Sequence, residues 1–116
     1  MKVAIIGSRC LKIKDLENYL PKNITEIVSG GAHGIDSCAM EYAKRNGLRI
    51  TIFFPDYAQF GKSAPLKRNE EIAKYADMGI AFWDQKSKGT LHTINQFKKL
   101  NKTIKIMIPT QSFESF

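Results

Sequence analysis

Short apolar runs alternate with stretches of helical period along most of the chain. Residues 2–7 (KVAIIG) make a continuous apolar run closed by glycine, the pattern of a strand buried on both faces. Residues 15–20 (DLENYL) place Leu16, Tyr19 and Leu20 at helical spacing, and Pro21 stops the pattern. A second strand is expected over 24–29. Next, Ile35, Ala39, Met40 and Ala43 fall on one stripe ahead of Gly47, so a helix is expected over 36–46. Residues 49–54, rich in β-branched and aromatic side chains, read as a third strand. A longer loop over 55–65 (PDYAQFGKSAP) leads to a helix over 66–75. A strand over 78–83, a helix over 90–100 and a strand over 103–108 complete the pattern, before a short polar tail.

Strands that alternate with helices of about 10–15 residues imply a parallel sheet. The fold class is therefore α/β: a doubly wound, five-stranded parallel sheet with helices on both faces, most simply in the order 3-2-1-4-5. No repeat, low-complexity segment or linker interrupts the pattern. Residues 1–116 are thus expected to form one domain with its core over 2–108. Open sheets of this kind bind ligands beyond the carboxyl ends of the strands, where the strand order reverses. The loops there are GSRC, SGGAHG, PDYAQFGKSAP and DQKSKGT, and all four carry residues suited to a polar ligand.

Composition narrows the class further. The chain is 43% hydrophobic and 25% charged, which argues for a folded protein. Its longest apolar runs, 50–55 and 104–109, are strand-length, against about 20 residues for a membrane span. With no signal-type segment at the start, a cytoplasmic protein without a membrane partner is expected. Cys10 and Cys38 lack paired-cysteine spacing, and His33 and His92 lack metal-ligand spacing. Neither a metal site nor a cofactor nor a structural disulfide is expected. The net charge of +7 favours phosphorylated or polyanionic partners. Fourteen of the 18 cations are lysines spread along the chain, however, as on any solvated surface.

The glycine-rich turn concentrates the candidate chemistry. Gly30 and Gly31 permit positive φ and let a ligand approach the backbone closely, while Gly34 stands at a helix entrance where free amides favour an anion. Asp36 caps that helix or accepts from a ligand hydroxyl; a plain tight turn with a capping aspartate is the simpler alternative. The spacing is neither G-x-G-x-x-G nor a P-loop. After Gly7, Ser8 can donate to a phosphate and Arg9 can grip one with its planar fork. Arg68 and Asn69 lie early in the third helix, where Arg68 either clamps a phosphate or pairs with Glu70 or Glu71. Ser87, Gly89 and Thr90 open the last helix as a second anion cradle, or as a capping turn using Ser87 or Thr90. Phe82 and Trp83 either stack on a base or pack inside, with the core the expected place for Phe82. His33 can hydrogen-bond a phosphate, but no triad partner for it is evident.

Taken in order, IIGSR at 5–9, SGGAHGIDSCA at 29–39, FPDYAQFGKSAP at 54–65, RNEEI at 68–72 and SKGT at 87–90 resemble the SLOG superfamily of Smf/DprA and Lonely-Guy proteins. The likeness covers about residues 2 to 108 and is greatest to the small YspA-like branch of bacteria and phages. It implies a Rossmann-like domain that binds a nucleotide, a nucleotide-derived small molecule or, in the DprA branch, single-stranded DNA. Lonely-Guy enzymes hydrolyse riboside monophosphates with an arginine and with the glutamate of P-G-G-x-G-T-x-x-E. Arg68 matches the arginine, but the glutamate position falls on Thr93, and Gln85, Lys86 and Ser87 stand in place of P-G-G. Asp36 and Asp84 are the acids that could substitute, so Arg68 and Asp36 are the catalytic candidates. The resemblance also implies pairing of helices across a homodimer.

Overall fold

The computed structural model describes residues 1–7, 16–30 and 35–108, with the backbone alone for residues 35–37. Strands β1 (Lys2–Gly7), β2 (Glu26–Ser29), β3 (Arg49–Ile52), β4 (Met78–Phe82) and β5 (Ile104–Met107) form one parallel sheet. Its order is β3-β2-β1-β4-β5, the order that the alternation of elements predicts. In register, Ala4 pairs with both Val28 and Gly79, Ser29 with Ile52, and Gly7 with Phe82. Gly30 and Trp83 therefore leave the sheet at the same carboxyl rim.

The three central strands are buried on both faces because helices cover both. On one face Val3, Ile5, Ile27, Ile80 and Phe82 pack with Leu16 and with Ala39 and Ala43 of α1 (Ile35–Arg45). Tyr19 meets the Phe82 ring edge-on at 5.3 Å between centroids. On the other face Ala4 and Val28 pack with Ile72 and Ala73 of α3 (Ala64–Tyr75) and Phe97 of α4 (Lys88–Lys99), and Ile6 and Ala81 pack with Ile94. Gly79 makes this layer fit: a Cβ there would stand 2.7 Å from Ile104 Cδ1 and 2.9 Å from the Phe97 ring.

Two local expectations are corrected. The helix expected over 15–20 is, in its described part, one 3₁₀ turn, Leu16–Tyr19, too short before Pro21 to propagate. The loop expected over 55–65 is largely helical. Its first turn is α2 (Tyr57–Phe60), capped by Asp56 Oδ1, which accepts from Gln59 N at 3.1 Å. A 3₁₀ turn, Gly61–Ser63, follows, and α3 begins at Ala64 with Pro65 in its first turn, where a missing amide costs nothing. Gly61 (φ +57°) supplies the left-handed joint between α2 and the 3₁₀ turn. Among the described residues no helix is long and apolar enough to cross a membrane.

The strands' amino end is closed by a different device. Glu26, the first residue of β2, is buried and accepts from Tyr75 Oη at 2.5 Å and Thr51 Oγ1 at 2.7 Å. Burial opposes its ionisation, but these two bonds and the charges of Arg49 and Lys2 outweigh it and hold the carboxyl below its ordinary range. Lys2 Nζ also lies 4.1 Å from the centre of the Tyr75 ring.

Candidate functional site

The carboxyl rim is organised by an arginine that crosses from α3 to Gly30, the residue after β2. Arg68, on the first turns of α3, donates from Nη1 to the Gly30 carbonyl at 3.0 Å and from Nε to Asn69 Oδ1 at 2.9 Å. The surface ion pair considered for Arg68 is made instead by its neighbour, with Lys67 Nζ 3.8 Å from Glu70. Gly30 does not have the positive φ that its residue type permits. What it contributes is space, since a Cβ there would lie 2.9 Å from Arg68 Nη1 and 3.3 Å from Cζ. The close approach expected at this glycine is made, at least in part, by the protein's own guanidinium.

Asn69 carries the connection onward to α4. It is only 6% exposed, and its Nδ2 lies 3.3 Å from His92 Nδ1 and 3.5 Å from the Gly89 carbonyl. His92 Nε2 lies 3.3 Å from the Gln96 side-chain amide, one helical turn further on. Gly30 and residues of α3 and α4 that are far apart in sequence thus form one chain of polar contacts.

The turn into α4 is a capping turn that uses Ser87. Asp84 Oδ1 accepts from the amides of Lys86 and Ser87, both at 2.8 Å, and Trp83 Nε1 donates to the Ser87 carbonyl at 3.0 Å. Ser87 Oγ then accepts from Thr90 N at 3.3 Å and Thr90 Oγ1 at 3.1 Å. Lys88 and Gly89 are the first two helical residues, so their amides precede the first intrahelical bond. Among the described residues nothing lies within 4 Å of where a Cβ on Gly89 would be. Phe82 is wholly buried in the core, whereas the half-buried Trp83 packs beside Ile6, Ala81 and Ile94 and ties down this turn.

Gly7, Gly30, Arg68, Asn69, Ser87, Gly89 and Thr90 therefore all belong to the rim and its two helix starts. Ser8, Arg9, Gly31, His33, Gly34 and the side chain of Asp36 lie outside the described residues. Thr93, where the resemblance to Lonely-Guy enzymes would call for a glutamate, is 3% exposed, and its hydroxyl donates to the Gly89 carbonyl at 3.0 Å. That position holds an inward-turned, neutral side chain. Among the described residues no three His, Cys, Asp or Glu side chains gather where a metal could bind. The contacts of His92 and Gln96 and the capping role of Asp84 do not follow from the pattern of the sequence alone. The available signal was the three-residue step from Gly89 to His92 and the four-residue step to Gln96, which set all three on one helical face.

The fold is similar to that of DNA processing protein A (DprA) from Streptococcus pneumoniae, known from an X-ray structure. The TM-score is 0.70 at 22% sequence identity, over 94% of this chain and 50% of that one. The chain thus spans about half the length of that protein. No protein-family model and no curated protein sequence matches the chain.

Proposed function

We propose that the chain is a SLOG-type domain of the YspA-like branch that binds a nucleotide or nucleotide-derived ligand at the carboxyl rim, with the ligand's phosphate between the β2 turn and the start of α4. The observation that carries this reading is the Arg68–Gly30 bond of 3.0 Å. It fastens a permanent cation to Gly30, a few side chains from a helix start whose first amides precede the first intrahelical bond. In the proposal Gly30, Gly31, Gly34 and Gly89 offer backbone amides. Ser8, Arg9, His33, Ser87 and Thr90 add side-chain contacts, Gly7 leaves room, and Asp36 orients the turn or a ribose hydroxyl. Binding is favoured over N-glycosidic hydrolysis because Thr93 replaces a carboxylate with a hydroxyl committed to its own helix.

Thermal unfolding with a panel of nucleoside monophosphates, cyclic nucleotides and ADP-ribose tests the reading. A ligand at about 100 times its Kd adds roughly 2.7 kcal/mol of stability, a readily measured rise in Tm. The rise should vanish in Arg68→Ala. A flat response across the panel would remove the proposal's support.

A second reading, single-stranded nucleic acid at the same rim, draws on the net charge of +7 and on the likeness to a DNA processing protein. It predicts a Kd that weakens steeply with salt, about 0.7 log unit per tenfold salt for each phosphate neutralised. Salt-independent anisotropy titrations would exclude it.

A further inference from the structure

The contacts around Asn69 determine more than they first suggest. An arginine can only donate, so the Asn69 atom 2.9 Å from Arg68 Nε has to be the amide oxygen. That fixes the opposite end of the amide, Nδ2, against His92 Nδ1 at 3.3 Å. Nδ2 carries only hydrogens to give, so His92 Nδ1 has to be the acceptor. In the neutral imidazole one ring nitrogen accepts and the other donates, which puts the proton of His92 on Nε2. Its neighbour is the Gln96 amide nitrogen at 3.3 Å, also a donor. Only one of the two amides can turn end for end to relieve that conflict. Asn69 is pinned by Arg68, so Gln96 turns and offers its oxygen.

We infer that His92 is a positioning residue for Arg68: as an Nδ1 acceptor, with its proton on Nε2, it holds the Asn69 amide in the one orientation that gives Arg68 Nε an acceptor. The chain then runs from Gln96 through His92 and Asn69 to Arg68 and the Gly30 carbonyl. The packing of α4 against α3 thereby sets the direction of the guanidinium at the rim. This role in ligand binding rests on the nucleotide-site reading above, but the proton placement and the hold on Arg68 do not.

Three variants test it. His92→Leu removes the acceptor. His92→Asn keeps an oxygen near the place of Nδ1 and so restores it. Arg68→Ala removes the group being positioned. Long-range proton–nitrogen correlation of the imidazole should show the proton on Nε2; a proton on Nδ1 in the neutral ring would overturn the inference. The Arg68 Nε–H resonance should be protected from exchange in the wild type and in His92→Asn, and lost in His92→Leu. Equal protection in His92→Leu would also overturn it. With adenosine 5′-monophosphate as the probe, His92→Leu should bind about fivefold more weakly than wild type, the worth of roughly one hydrogen bond, and His92→Asn should recover most of the loss. Wild-type affinity in His92→Leu, with binding abolished in Arg68→Ala, would refute the positioning role and leave the nucleotide site standing. If the probe binds Arg68→Ala as well as wild type the site reading fails, and if it binds neither protein the two resonance measurements alone decide the hold on Arg68.

Discussion

Arg68 and Gly30 are fitted to each other: the guanidinium donates to the Gly30 carbonyl at 3.0 Å, and a Cβ on Gly30 would lie 2.9 Å from the same nitrogen. Gly30→Ala should therefore push the guanidinium out of place without breaking the fold. The atom displaced is the far end of a flexible side chain, so the stability cost should stay near one hydrogen bond, about 1 kcal/mol. The larger effect should fall on ligand binding, with any nucleotide-induced rise in Tm lost as in Arg68→Ala. Calorimetric melts of both variants with and without nucleotide check this. A normal ligand response in Gly30→Ala would separate the glycine from the site.

How much of this was legible in the sequence depends on the range of each interaction. The sheet order follows from apolar runs such as KVAIIG, because a strand covered on both faces has no polar side to interrupt its pattern. The start of α4 was legible as a capping turn because Ser87 and Thr90 are three residues apart. The segment 55–65 has the composition of a loop, with a glycine and two prolines, yet most of it is helical. Pro65 stands in the first turn of a helix, and Asp56 caps the turn ahead of it. Gly30 was recognised as a place of close approach, but its partner is 38 residues away and is fixed only by the packing of α3. The role of His92 is hidden for a similar reason: its neighbour Asn69 reaches it from another helix.

Gly79 offers a test of core packing well away from the rim. A Cβ there would meet Ile104 Cδ1 at 2.7 Å and two Phe97 ring atoms at 2.9 and 3.1 Å. The Phe97 ring is fully buried against the sheet, so relief has to come from turning the Ile104 side chain and shifting α4. Gly79→Ala should lower stability by about 1–3 kcal/mol, the usual cost of overpacking. Urea unfolding should show a lower midpoint with an unchanged slope. A midpoint equal to wild type would mean that this layer is looser than its contacts indicate.

Acid should weaken the strands' amino end through Glu26. Its folded carboxyl titrates below the ordinary value of 4.5, so its stabilising contribution is complete above that value and is lost as pH falls through the lower, folded one. Glu26→Gln keeps an acceptor for Tyr75 and Thr51 but cannot titrate. It should cost about 1 kcal/mol at neutral pH and flatten the fall of Tm as pH drops below 4.5. Parallel wild-type and variant profiles would assign the acid sensitivity to other groups.

Lys102 closes the end of α3 in a way that a charge count would not reveal. Its Nζ donates to the carbonyls of Ala73, Lys74 and Ala76 at 2.8, 2.7 and 2.8 Å. Those oxygens sit at the helix end where partial negative charge gathers, so one ammonium satisfies what would otherwise need water. Lys102→Met preserves the stem and removes the donors. A loss of about 1.5–3 kcal/mol is expected from a charged donor, with faster amide exchange over the last turn of α3. A loss below 0.5 kcal/mol, as for an ordinary surface lysine, would contradict the capping role.

Gly89 separates a ligand's needs from the protein's own. It is the second residue of α4, and among the described residues a Cβ there would meet nothing within 4 Å, so the described packing gives no reason for glycine. Glycine within a helix costs roughly 0.5–1 kcal/mol relative to alanine, so Gly89→Ala should raise Tm by about 2–5 °C. In the proposed site, however, the added methyl stands beside the amides that would face the phosphate. Nucleotide affinity should therefore fall while stability rises, opposite to the joint loss expected of a folding defect. Melting curves and nucleotide titrations on the same samples distinguish the outcomes. A variant that is both more stable and unimpaired in binding would take Gly89 out of the cradle and leave the β2 turn to hold the anion.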